Sequence, residues 1–287
     1  MQRRRAMLFV GGLVLEGLPA TLASGADLAV IDLEDAVPPG RKQEARAAAM
    51  KAAGAAAIPA GVQLLARINA MWEPEGAEDL HAILREGHAF GGVMVPKVND
   101  PQEVRTAGEL VDIARREIDL YPIIETAEGL ERCVEIAQAH PRVKALIFGG
   151  FDLSTALGCE MAWEPLLYAR SRAVHAAALA RIEVMDSPFP DVADLDGLRE
   201  SCRQAKALGM TGKAAKHASQ VATILEAFTP SAREIERARA IVAMYEADPT
   251  RPLVYEGRLV ELPTVKRMQR IAAMTLSPAL PQGGGRI

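Results

Sequence analysis

Acidic and basic side chains stand at the ends of several apolar runs: Asp32-Leu33-Glu34-Asp35, Arg67-Ile68-Asn69, Pro96-Lys97, Glu125-Thr126 and Gly149-Gly150-Phe151-Asp152. A charge inside a buried strand would lack partners, whereas at the strand's end it is free to face a mouth. Glu125 and Asp152 close consecutive runs. If those runs are neighbouring strands, about 4.8 Å apart, the two carboxylates reach a common point. A pair of hard oxygen donors suits Mg2+, which takes one or two carboxylates and fills its octahedron with waters and substrate oxygens. Without a cation the pair repels an anionic substrate by roughly 4 kcal/mol per contact at about 4 Å and an effective dielectric near 20. The competing reading is that each acid caps the helix that follows, which is favourable without any chemistry. Gly149 and Gly150 beside the second acid leave backbone room and favour a site.

Arg67 ends a run of Leu and Ala and needs a carboxylate partner. Either it forms a salt bridge to Glu34 or Asp35, or it clamps a substrate carboxylate through two parallel N–H bonds. Strand alternation points some of Asp32, Glu34 and Asp35 inward and others toward neighbouring loops. Lys97, after Pro96, is expected as a charge partner for the metal carboxylates, with Schiff-base chemistry as the alternative. His217, just past the last apolar run, reads as a hydrogen-bonded helix-start residue rather than a general base. Trp72 and Trp163 read as packing residues.

Short apolar runs of β type alternate with alanine-rich helical stretches to about position 227, the pattern of a parallel sheet wrapped in helices. Candidate strands are 6–11, 28–34, 62–69, 92–97, 120–126, 145–152, 182–187 and 210–216. They are nearly continuously hydrophobic, as strands covered on both faces are. Eight βα units predict a closed (β/α)8 TIM barrel over 1–228. An open doubly wound sheet binding a dinucleotide would place G-x-G-x-x-G after the first strand, and Phe9-Val10-Gly11-Gly12-Leu13 does not supply it. Residues 229–276 form an expected C-terminal lid extension of the same domain. Its helix starts at Ser231 with Glu234 completing a capping box, a hairpin turns at Glu256-Gly257, and a second helix starts near Pro263. Residues 277–287, rich in Pro and Gly, are expected to be a flexible tail.

The 287 residues are 49% hydrophobic and 24% charged, enough to bury a large core in one α/β barrel. A net charge of -4 offers no basic field for nucleic acid. No apolar stretch approaches the roughly 20 residues that span a bilayer. Cys133, Cys159 and Cys202 are scattered and odd in number, which fits a reducing compartment and a cytoplasmic protein. Paired carboxylates on a barrel also serve retaining glycosidases, but aromatic content of 4% argues against sugar platforms.

Taken in order, Arg5-x-x-Leu8-Phe9-Val10, Asp32-Leu33-Glu34-Asp35-Ala36-Val37, Arg67-Ile68-Asn69, Val95-Pro96-Lys97, Ile124-Glu125-Thr126, Phe148-Gly149-x-x-Asp152-Leu153, Gly212-Lys213 with His217 and Gln220, and Gly257-x-x-x-Glu261-x-Pro263 make a joint pattern. With them the chain resembles the citrate lyase β-subunit-like branch of the HpcH/HpaI aldolase superfamily over nearly its full length. The resemblance implies Mg2+ held by Glu125 and Asp152, and Arg67 on the carboxylate of a 2-oxo acid. It also implies a thioester of coenzyme A as the acyl partner and a homo-oligomer, trimer or hexamer, in which the C-terminal hairpin closes over a neighbour's site. Candidate catalytic residues are then Glu261, Arg67 and Asp35, and candidate substrate contacts are Arg67, Glu34, Gly150, Pro96 and Lys97. The implied reaction is Mg-dependent cleavage of a hydroxyacyl-CoA, of malyl-CoA or citramalyl-CoA type, to a 2-oxo acid and an acyl-CoA. Thioester hydrolysis at the same site, or service as a subunit of a larger citrate lyase-like complex, are the alternatives. Three positions depart from the family: Gly11 and Ala218 replace prolines, and Glu261 replaces aspartate. A catalytic carboxyl displaced by about 1 Å can cost on the order of 100-fold in rate.

Overall fold

The structure is a computed structural model and describes residues 2–273. Eight strands among these residues close into one all-parallel barrel in sequence order. They are β1 (Ala6–Gly11), β2 (Leu28–Asp32), β3 (Gln63–Arg67), β4 (Gly92–Val95), β5 (Asp119–Ile124), β6 (Ala145–Phe148), β7 (Glu183–Asp186) and β8 (Gly212–Ala215). Closure runs through Ala6, Met7 and Leu8, which pair with Lys213, Ala214 and Ala215. The connections carry α1 (Leu18–Ala23), α2 (Lys42–Ala55), α3 (Pro74–Arg85), α4 (Pro101–Ile113), α5 (Ala127–Glu131), α6 (Cys133–Ala137), α7 (Gly150–Leu157), α8 (Leu167–Ala180) and α9 (Leu195–Leu208), and α10 (Val221–Phe228) follows β8. All eight expected strands are present. Five of them, β2 to β6, stop two to four residues short of the expected carboxyl end, because there the chain leaves the ladder and turns its polar residues to the mouth.

The period-two alternation of a strand sorts every side chain to one of two cores. Met7, Leu28, Val30, Leu65, Met94, Tyr121, Ile123, Ala145, Ile147, Met185 and Ala214 fill the barrel interior. Their neighbours one residue away, such as Leu8, Ala29, Ile31, Ala66, Val93, Ile124 and Leu146, pack with helix residues in the layer outside. Continuing the inward series past the last apolar position gives Asp32 on β2 and Arg67 on β3, then Glu125, Gly149, Ser187 and Lys216 just after β5, β6, β7 and β8. The same parity sends Asp186 and Lys213 outward, into a fully buried cluster with Arg170 of α8. Asp186 Oδ1 accepts from Arg170 Nε at 3.0 Å, and Oδ2 lies 2.5 Å from Lys213 Nζ. Burial alone would push the Asp186 carboxyl up, but the two cations outweigh it and hold it below the ordinary carboxylate range.

The chain divides into two compact units after Phe228. In the second, α11 (Ala232–Ala247) and α12 (Leu262–Ala272) bury Ala238, Ile241, Val265 and Met268 between them. Ser231 caps α11 in a capping box with Glu234. The intervening hairpin, β9 (Val254–Tyr255) and β10 (Arg258–Leu259), turns where expected, at Glu256 and Gly257. Their φ of 48° and 74° are the two left-handed positions of a type I′ turn, which glycine tolerates and glutamate rarely adopts. The expected tail, 277–287, lies outside the described residues. Among the described residues no helix is long and apolar enough to cross a membrane.

Candidate active site at the carboxyl ends of the strands

A cavity of about 580 Å³ opens at this end of the barrel. Its floor is Met7, Phe9, Met94, Ile123, Ile147 and Ala214, and its rim includes Asp32, Asp35, Arg67, Glu125, Asp152 and Lys216. Glu125 is 3% exposed. Its Oε1 accepts from the Lys97 backbone N–H at 2.8 Å. Burial, with Glu34 and Asp152 adding their negative charge, pushes its carboxyl up to about 8. Gly149 makes this placement possible: a Cβ there would stand 2.5 Å from both Cβ and Oε2 of Glu125. Asp152 lies not at the end of β6, as the run 145–152 suggested, but in the first turn of α7. The extended run breaks at Gly149, the residue before the helix, and the helix turns Asp152 back to the same cavity. Neither Glu125 nor Asp152 forms an ion pair with a described residue.

Arg67 is engaged with the acidic cluster. It donates from Nε and Nη2 to the two Asp32 oxygens at 2.8 and 2.6 Å, and its Nη1 lies 2.7 Å from Glu34 and 3.5 Å from Asp35. The sequence reading offered Glu34 or Asp35 as its salt-bridge partner, but the main one is Asp32, its register neighbour across β2 and β3. Asp32 Oδ1 also accepts from the Glu34 N–H, which fixes the loop carrying the other two acids. Burial works against the Arg67 charge, but these carboxylates outweigh it and keep the guanidinium firmly protonated. At most four of its five N–H donors are used, and its face lies 5.5 Å from the Phe9 ring centroid.

Lys97 departs from expectation. Its ammonium pairs with Glu34 and, at 3.2 Å, with Asp35. Only its backbone, held at φ 50°, serves Glu125. The left-handed turn at Lys97 breaks the strand parity and swings the side chain toward the loop after β2. Burial pushes Asp35 up, but Arg67 and Lys97 outweigh it and hold this half-exposed carboxylate below its ordinary range. Glu34, 4% exposed, lies beneath these cations and does not line the cavity. Pro96 is buried and likewise off the lining, so neither it nor Glu34 is placed as a direct contact. Gly150 lines the cavity, with its N–H donated to Ser187 Oγ at 3.3 Å.

Glu261 is an exposed residue of the second unit, preceding α12 without a capping bond. His217 caps a short turn, its Nδ1 accepting from the Ser219 N–H at 3.2 Å, as expected of a helix-start residue. Trp163 packs over Arg170 at 4.9 Å, whereas Trp72, 58% exposed, is not the packing residue expected. Phe9, Ser187 and Lys216 were not singled out from sequence. The inward parity that selects Glu125 selects all three.

A closed (β/α)8 barrel whose strand ends carry an acid-rich cavity is the architecture of a barrel enzyme. A family model described as HpcH/HpaI aldolase/citrate lyase matches residues 5–218, and the chain belongs to that lyase family. It is 32% identical to an L-malyl-CoA/beta-methylmalyl-CoA lyase of Cereibacter sphaeroides, over 87% of each chain. It is 28% identical to the mitochondrial citramalyl-CoA lyase of Mus musculus, over 96% of this chain and 86% of that one. Among solved structures, the protein CitE of Mycobacterium tuberculosis in complex with magnesium, acetoacetate and coenzyme A is similar with a TM-score of 0.78 and 27% identity, covering 94% of this chain and 97% of that one. RipC of Yersinia pestis matches with a TM-score of 0.71 and 35% identity, covering 82% of this chain and 99% of that one.

Proposed function

We propose that this protein is a Mg2+-dependent lyase that cleaves a hydroxyacyl-CoA of the malyl-CoA or citramalyl-CoA kind into a 2-oxo acid and an acyl-CoA. The observation that carries this reading is the pair Glu125 and Asp152, two carboxylates on one cavity, one of them buried, with no cation among the described residues paired to either. The donor set fits a hard divalent ion. Apart from the Lys97 N–H on Glu125, no described residue donates to their oxygens. Among the described residues no cluster of three His, Cys, Asp or Glu is placed to hold a metal. The protein would therefore supply two ligands and leave the rest to waters and substrate oxygens, as Mg2+ prefers. The relatives named for malyl-CoA and citramalyl-CoA, and the magnesium and coenzyme A in the similar solved structure, support the same reading.

When bound, Mg2+ would offset the negative charge that develops on the substrate's alkoxide and forming carbonyl oxygens. In our reading Arg67, fixed by Asp32, Glu34 and Asp35, presents its remaining N–H to a carboxylate of the oxo-acid half. Asp35, ionised at the rim, takes the proton of the 3-hydroxyl. The electron pair of the breaking carbon–carbon bond passes to the carbon next to the thioester carbonyl, and that carbon is then protonated. We assign that proton to Glu261, delivered in an oligomer by the C-terminal unit of a neighbouring copy. Lys97 orients Glu34 and Asp35, and Gly150 leaves room for the substrate at the start of α7. The apolar floor excludes water from the reacting carbons.

The experiment is product analysis of malyl-CoA and citramalyl-CoA incubated with the purified protein and Mg2+. Glyoxylate or pyruvate should appear with acetyl-CoA and without free thiol. Free coenzyme A with intact malate or citramalate would instead make the protein a thioesterase.

A further inference from the structure

Among the described residues, charge pairing at the cavity leaves one cation unused. Arg67 is taken by Asp32, Glu34 and Asp35, and Lys97 by Glu34 and Asp35. Lys213, three residues before Lys216, is buried against Asp186 on the other face of the strand. Lys216 lines the cavity and is exposed, and no described carboxylate lies within ion-pair reach of its Nζ. Its position is nevertheless defined. It follows β8 at the inward parity of Ala214, its backbone N–H donates to Gln220 Oε1 at 2.8 Å, and its Nζ stands 5.9 Å from the centroid of the Phe151 ring. Gln220 is itself fully buried, and its Nε2 donates to the carbonyls of Phe189 and Asp191 at 3.3 Å each. The ammonium is thus delivered from a braced backbone to the rim where Asp152 and Phe151 also stand. A cation that no described carboxylate neutralises, on a rim otherwise rich in acid, is a receptor for an anion brought by the ligand.

We propose that Lys216 is the residue of this cavity that binds an anionic group of the substrate other than the one facing Arg67, and that it sets affinity rather than bond cleavage. The inference rests on the proposed acyl-CoA chemistry for its two candidate anions, a phosphate of the thiol carrier or a second carboxylate of the acyl chain. Lys216 binds at the rim, so its removal raises Kd and KM and leaves kcat near its wild-type value.

The test is calorimetric titration of the full-length protein in Mg2+, as wild type, Lys216→Gln and Lys216→Arg, with coenzyme A, pantetheine and malate as separate probes. A charge-assisted contact predicts a loss of about ten-fold for Lys216→Gln and retention within about two-fold for Lys216→Arg. A loss confined to coenzyme A, with pantetheine unchanged, assigns the phosphate. A loss confined to malate assigns the carboxylate. Lys216→Gln binding all three probes within about two-fold of wild type overturns the proposal, as does a wild type that binds none of them. Equal melting temperatures of the three proteins exclude misfolding as the cause of a loss. Because binding is read without turnover, a wild type that binds the probes but cleaves no hydroxyacyl-CoA contradicts the lyase reading alone. Normal cleavage with unaltered Lys216→Gln binding contradicts the Lys216 assignment alone.

Discussion

At the residue scale, Glu125 and Arg67 hold opposite positions: one is a buried acid without a cation among the described residues, the other a partly buried cation with three acids. Burial disfavours the charged form of Glu125. Glu125→Gln should therefore leave the metal-free protein as stable as wild type or more so, while activity falls at least about 100-fold with the loss of a metal ligand. Thermal melts and initial rates on the same preparations check both halves. Arg67→Met should do the reverse to stability. It strands Asp32 without its cation and leaves Glu34 only Lys97, and breaking such a buried pair costs about 3–5 kcal/mol, readable in a urea titration. The sequence made both residues visible as charges ending apolar runs. It did not reveal that Arg67 pairs first with Asp32, because the two stand thirty-five positions apart and meet only through the β2–β3 register. Nor did it show Lys97 turning away from Glu125, which follows from a left-handed backbone that no residue type there announces.

At the scale of elements, the alternation within strands accounts for most of the site. Each run was legible from its apolar residues, and counting two positions beyond the last inward one names Arg67, Glu125, Ser187 and Lys216 without coordinates. Asp152 escaped that rule because it belongs to a helix. The apolar Phe148 and Phe151 flank two glycines, so the stretch reads as one strand, although the helix starts at Gly150. Gly149→Ala tests the junction. Its Cβ would collide with Glu125, so activity should fall by at least about ten-fold, with a stability loss of about 1–3 kcal/mol from overpacking. Outside the barrel, Asp186 holds α8 to β7 and β8 through Arg170 and Lys213. Its carboxyl sits below the 3.8 of an ordinary aspartate, so the unfolded chain binds the proton more readily than the folded one. The stability it contributes is complete above about pH 4 and is lost as pH falls through the depressed folded value. Asp186→Asn should accordingly cost about 3–5 kcal/mol near neutral pH, and the gap to wild type should narrow below about pH 4 in denaturant melts at stepped pH.

On the scale of the whole molecule, the barrel carries the cavity and the C-terminal unit carries Glu261, with a hydrophobic cluster of its own. A chain ended at Phe228 should retain a cooperative melt, since its two hydrophobic clusters lie within residues 6–228. If Glu261 supplies the proton, that chain should turn over at less than about one hundredth of the full-length rate, and Glu261→Gln should match it. Both the strand count and the hairpin with its flanking helices were legible in the sequence. How one copy's C-terminal unit meets another's cavity was not, since that depends on surfaces with no periodic signature. The most direct measurement of the central claim is cleavage of malyl-CoA and citramalyl-CoA by wild-type protein stripped with EDTA and then titrated with Mg2+. The expected result is no oxo acid after stripping, full recovery on adding Mg2+, and no recovery at the same Mg2+ concentration for Glu125→Gln or Asp152→Asn. Undiminished oxo-acid release in EDTA, or Mg2+-restored rates in those two variants equal to wild type, would contradict it.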